Sequence, residues 1–165
     1  MFYQTALRIS DIDQALWMDR VERSYQLDEA SQVLCQSIFN WNSQGLKFDE
    51  TQAIIYLFDR GSNKADQDFI QSQGLSPAKF VYTLPNIPIT IVQQMLKISV
   101  PTYCLTANDL DRLDENQQVK ELMEALVSKY EKILVIRLKA PSATAPDLWT
   151  ISALVSPLLE RVVQL

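Results

Sequence analysis

The chain contains no histidine. This removes the side chain best suited to proton transfer near neutral pH, and with it every Ser-His-Asp or Cys-His arrangement that these residues might have built. Any hydrolytic chemistry would have to rest on lysine, tyrosine or carboxylates. Glycine is almost as scarce: Gly45, Gly61 and Gly74 are all that occur in 165 residues, where about 7% is usual. Phosphate loops and oxyanion sites use glycine because backbone must approach the ligand closely. Three scattered glycines leave no GxGxxG and no Walker loop. The two cysteines, Cys35 and Cys104, cannot form a disulfide framework and lie in no CxxC or Cys/His pattern, so they read as small buried hydrophobes, and no structural zinc is expected. Basic residues are outnumbered, 15 against 20 acids for a net charge of −5, which opposes attraction to nucleic acid or to an anionic bilayer. No apolar run approaches the ~20 residues that span a membrane. The N-terminus has no basic segment followed by an apolar block, so no secretory signal is expected and the cytoplasm is the expected compartment.

What remains is ordinary globular material. With 47% apolar and 21% charged residues, the composition suits one folded domain over 1–165, burying roughly 70% of the surface that the unfolded chain would expose. Phe2 to Ile9 mixes aromatic and β-branched residues with polar ones and reads as a strand. From Leu27, apolar residues at 27, 30, 34, 38 and 41, with Val33 beside them, recur at helical spacing and predict an amphipathic helix ending near Asn42 to Gly45. The preceding Asp19 to Ser24 carries alternating charges that suit a solvated helical turn. Thr51 to Phe58 is a near-continuous apolar run of the kind found in a buried central strand. A turn at Asp59 to Asn63, a short helix within Lys64 to Gln73, a helix over Pro88 to Ile98 and a strand over Pro101 to Thr106 follow. Val119, Leu122, Met123, Leu126 and Val127 mark another helix, Lys132 to Lys139 a second buried strand, and Leu148 to Val155 a last one after the loop Ala140 to Asp147. A helical turn over Pro157 to Val163 would close the chain. Alternation of this kind predicts an α/β domain in three layers, a mixed sheet with helices on both faces.

Few side chains carry chemistry. The acids from Asp109 to Glu115 have oxygen ligands to offer a hard cation, but lack the glycine and spacing of an EF-hand loop; the start of a helix, whose positive end favours acids, accounts for them, and no metal is expected. Cys104 stands beside Tyr103 in a β-type run with no neighbouring base or cation to make it a thiolate.

One segment resembles a known family. Ser76-Pro77-Ala78-Lys79-Phe80 followed by Leu84-Pro85-Asn86, then an apolar helix and Val100-Pro101-Thr102-Tyr103, is similar in order to the approach to the active site in β-ketoacyl synthases and their short N-terminal-like relatives. The strand and turn from Tyr56 to Gly61 stand before it as they do there, and the strand Lys132 to Lys139 resembles the one after the nucleophile's helix. The resemblance spans roughly Thr51 to Ala140. It implies a thiolase-type fold, two similar α/β halves of which this length supplies one. It also places the family's cysteine nucleophile at about Asp109, beside Asn108, and the two assisting histidines in the half that is missing. The implied role is therefore that of a catalytically inactive accessory or partner protein of a fatty-acid, polyketide or aryl-polyene type pathway, needing no cofactor and forming a homodimer or a heterodimer with a ketosynthase-type subunit. The alternative is a small-molecule or acyl-binding protein, or an enzyme using carboxylates or tyrosine, with Phe80, Asn86, Tyr103, Cys104, Asn108 and Asp109 as pocket candidates.

Overall fold

The computed structural model describes residues 2–22, 24, 27–48, 51–59, 69–71, 84, 86–106 and 117–155. Five strands form one sheet: β1 (Phe2–Leu7), β2 (Ala53–Phe58), β3 (Thr102–Thr106), β4 (Ile133–Lys139) and β5 (Trp149–Val155), in the spatial order β1-β5-β4-β2-β3. β3, β2 and β4 run parallel, whereas β5 is antiparallel to both β4 and β1. The sheet is mixed, as its sequence pattern requires. All six residues of β2 are buried, which explains why its apolar run shows no alternation.

The side chains of each strand part to two cores. Ile54, Tyr56 and Phe58 of β2, with Leu134, Ile136 and Leu138 of β4, pack beneath the helices α1 (Glu29–Ser43) and α2 (Ile87–Leu96). Ile55, Leu57, Ile133 and Val135 face the other way, onto Val119, Met123 and Leu126 of α3 (Gln117–Val127). Helices on both faces of the sheet make the three layers. The face of α1 is the one that the periodicity marks, with Ala30, Val33, Leu34, Ile38 and Trp41 all buried; on α3 Val119, Met123 and Leu126 are buried, but Val127, expected on the same face, is 49% exposed at the last turn.

The helix ends are set by local chemistry. Asp28 caps α1, its Oδ1 accepting from the Ser31 N–H at 2.8 Å, so the helix starts two residues later than its first apolar position. At the other end Gly45 adopts φ +97°, while its N–H donates to the Asn42 carbonyl and that of Leu46 to the Trp41 carbonyl. This is a left-handed closure of the helix in which the last carbonyls are taken up by the following N–H groups. α2 closes in the same way, with the Lys97 N–H donating to Gln94 and the Ile98 N–H to Gln93; here the left-handed residue is Lys97, at φ 56° and ψ 38°. A β-carbon at Gly45 would touch nothing within 4 Å, so the cost of Gly45→Ala is conformational alone. We expect a loss of about 1 kcal/mol and a melting temperature lower by about 2–4 °C; an unchanged value in thermal denaturation would refute the assignment.

The charged stretch after Trp17 is only partly helical. A 3-10 turn covers Met18–Arg20 with Asp19 and Arg20 exposed, but Val21 is extended and buried, so the solvated helical turn ends before it. Trp17 itself is fully buried, and its Nε1–H donates to Gln36 Oε1 at 3.1 Å. Gln36 also accepts from the Asp13 N–H at 3.0 Å and donates from Nε2 to Asn40 Oδ1 at 3.0 Å. One buried amide thus fastens both Asp13 and Trp17 to α1. Of the short helix expected within Lys64 to Gln73, residues 69–71 are described and are helical. The turn after Asp59, the acidic stretch 107–116 and the terminal turn after Val155 lie outside the described residues.

Candidate functional site

The connections determine where a site can form. β2 leads into α2 on one face of the sheet and returns as β3, whereas β3 leads into α3 on the opposite face and returns as β4 beyond β2. The chain therefore departs from the carboxyl ends of the adjacent strands β2 and β3 toward opposite faces. Such a switch point opens a crevice, which is where open α/β sheets bind their ligands. Asp28 and the N-terminus of α1 lie at this same end, since α1 runs from it toward the amino ends of the strands.

Tyr56 lies in β2 near this end, in the core on the α1 and α2 side of the sheet. It is 1% exposed, and burial first, then the neighbouring acidic groups of Asp28, Cys104 and Asp59, pushes its phenol well above the usual range. Asp28 is itself buried. Cys35, on α1, is likewise pushed up, by burial and then by the charge of Asp28. Cys104 is opposite Tyr56 in the β2–β3 register, is half-buried, and its thiol is raised by burial. Every one of these shifts favours the neutral form. A nucleophilic cysteine needs the reverse, a cation or base that favours thiolate. Next to the crevice, the Asp59 carboxylate accepts from the Ala140 N–H at 3.1 Å through Oδ1 and 3.3 Å through Oδ2, which ties the carboxyl ends of β2 and β4 together. The phenol of Tyr56 and the thiols of Cys35 and Cys104 are thus all held toward their neutral forms.

The candidate pocket residues do not assemble into one wall. Tyr103 and Cys104 are consecutive in β3, so they face opposite cores: Cys104 packs on the α1 and α2 side, Tyr103 on the α3 side. Tyr103 O–H donates to Tyr130, which raises the Tyr103 phenol, while accepting that bond, together with nearby Lys129, lowers the Tyr130 phenol. Lys129 Nζ stands 5.2 Å from the centre of the Tyr130 ring. Asn86 is exposed at the start of α2, its backbone carbonyl accepting from the Thr90 N–H at 3.2 Å and from Thr90 Oγ1 at 3.0 Å. Phe80, Asn108 and Asp109 lie outside the described residues. Asp28, Tyr56 and Asp59 were not among the pocket candidates. Asp28 is detectable as an acid just before an amphipathic helix, but its electrostatic effect on Tyr56 depends on tertiary packing. Among the described residues no group of three or more histidine, cysteine, aspartate or glutamate side chains is arranged to hold a metal ion, and no helix is long and apolar enough to cross a membrane.

Neither a protein-family model nor a curated protein matches the sequence. The fold does have a counterpart among solved structures. A ketosynthase in complex with its chain length factor, from Xenorhabdus doucetiae, superposes with a TM-score of 0.62 at 16% identity, over 87% of this chain and 61% of that one. The class is therefore an α/β unit of ketosynthase-like, half-thiolase architecture. The chain spans about three fifths of the length of that neighbour.

Proposed function

We propose that this chain is a ketosynthase-like subunit that acts by pairing, with a second copy or with a ketosynthase-type chain, and does not itself condense acyl groups. A role in a fatty-acid, polyketide or aryl-polyene type pathway follows from that reading. The solved neighbour is a complex of a ketosynthase with its chain length factor, which supports a partner role. The missing histidines, Asp109 where the resemblance expects a thiol, and the raised Cys104 thiol support inactivity.

The observation that supports the pairing is β3, which is the edge strand of the sheet among the described residues. Ile54 N–H donates to the Pro101 carbonyl at 2.9 Å while Ile54 is in register with Thr102. In a parallel ladder this turns the backbone groups of Tyr103 and Leu105 toward β2 and those of Thr102, Cys104 and Thr106 outward. An outward row of this kind is a template for another strand, and a two-fold axis beside it would let one copy pair with its equivalent. Thr106 is exposed and its N–H points away from β2, so Thr106→Pro removes a donor from that row without breaking the ladder. In light scattering we expect the native chain to show twice its 18.9 kDa mass, or to form a complex with a ketosynthase subunit of the same genome, and the variant to do neither. Given acyl-carrier substrates, the chain alone, native or variant, should yield no condensation product. A native monomer that binds no ketosynthase, or a condensation product formed by the chain alone, would overturn the proposal.

A further inference from the structure

At the end of the sheet opposite the crevice, α1 and α2 finish side by side and leave a cleft of about 710 Å³ lined by Asp19, Arg20, Asn42, Lys47, Phe48, Met95, Leu96 and Lys97. Its volume is that of a small-molecule site. Among the described residues three cations face one acid there, on a chain whose acids otherwise outnumber its bases. The floor is apolar, with Phe48 and Met95 buried, while Arg20, Lys47, Lys97 and Asn42 stand exposed at the rim. Arg20 is held in place by stacking, its guanidinium carbon 5.2 Å from the centre of the Phe39 ring.

The second observation is the backbone of Lys97. Both helices close with a left-handed residue, and the two closures make equivalent hydrogen bonds. α1 places Gly45 there, whereas α2 places Lys97, the one non-glycine residue of positive φ among the described residues. A side chain in that conformation is strained, and strain of this kind tends to persist where a side chain has work to do. The left-handed turn aims a lysine at the cleft. Four of the carbonyls that would repel an anion at these helix ends are already engaged: Gln93 and Gln94 by the N–H groups of Ile98 and Lys97, Trp41 and Asn42 by those of Leu46 and Gly45.

We infer that this cleft binds a small organic phosphate, the phosphate held by Arg20, Lys47 and Lys97 with the Asn42 amide, and the organic portion resting on Phe48, Met95 and Leu96. Lysines serve as point charges for phosphate and arginine as a planar fork. The site is separate from the crevice between β2 and β3, and the inference does not rest on the pairing role.

Calorimetric titration of the native chain with 1-naphthyl phosphate, inorganic phosphate and 1-naphthalenemethanol tests it. The aryl phosphate should bind, inorganic phosphate more weakly, the neutral alcohol not measurably, and added salt should weaken both phosphates. Lys97→Gly should weaken aryl phosphate binding about tenfold, the scale of one charge-assisted contact, while its melting temperature stays level or rises because glycine relieves the strained turn. Lys47→Gln should weaken binding similarly and leaves that turn untouched. Vesicles containing phosphatidic acid should not retain the chain. No binding at millimolar aryl phosphate would overturn the inference. So would wild-type affinity in Lys97→Gly and Lys47→Gln, an alcohol that binds as well as the phosphate, inorganic phosphate matching the aryl ester, or retention on the vesicles.

Discussion

Between pH 8 and pH 11 the folded protein is expected to lose about 4 kcal/mol of stability, a large part of the 5–15 kcal/mol typical of a domain. The loss arises from two buried acids. Cys35 has an ordinary value of 9.0 and Tyr56 one of 10.0, and burial, reinforced by the charge of Asp28, raises both in the fold. The unfolded chain releases these protons at the ordinary values while the folded chain retains them. Stability is therefore complete below pH 9 and falls as the pH climbs toward the folded-state values. The slope is about 1.4 kcal/mol per pH unit from the thiol above 9 and the same from the phenol above 10. Cys104 adds a smaller contribution of the same sign, since it is only half-buried. Urea denaturation followed by circular dichroism at pH 8, 9, 10 and 11 measures the decline. Cys35→Ala should remove one proton from the slope between pH 9 and 11. Equal midpoints at pH 8 and 11, or an undiminished slope in Cys35→Ala, would show that these groups are not protected from ionisation as described.

The second large effect is expected at Trp17. Trp17→Ala should cost about 3–5 kcal/mol, more than any single surface change, because its ring is fully buried and its Nε1–H is one of three hydrogen bonds that converge on Gln36. Gln36→Leu should cost less, about 1–3 kcal/mol, by leaving the indole N–H without its acceptor in a buried position. The double variant should then cost less than the two singles together, since each removes the same bond. Strict additivity in urea denaturation would mean that the indole and the amide do not act as one fastening.

These two residues also mark the limit of what periodicity can reveal. α1 and the buried strands β2 and β4 are legible in the sequence because their apolar residues follow the spacing of a single element, and the structure keeps them where that spacing places them. Trp17 belongs to no repeating pattern. Its importance comes from Gln36, nineteen residues on, and a polar glutamine on a helix gives no sign that it will be 3% exposed. The strand order is hidden for the same reason, since β4 lies between β2 and β5 only once the α3 crossover has passed beneath β2. At the site, adjacency in sequence misleads. Tyr103 and Cys104 stand next to each other on the chain, and the two-residue period of a strand sends them to different cores. Asp28 and Tyr56 lie far apart in sequence, yet the fold brings them near enough for the charge of one to act on the other.

The pairing of β1 with β5 has a consequence for synthesis. Phe2 is in register with Leu154 and Leu7 with Trp149, so β1 has no neighbour among the described strands of the sheet until β5 has been made. Such distant closure is slow, and an early strand without its partner is exposed to misassembly with other nascent chains. In β1 every second residue is exposed and the others are only half-buried, with Gln4 and Thr5 at its middle. A weakly apolar strand of this kind can wait in water, and the richly apolar β2 and β4 come later, each near the helices that will cover it.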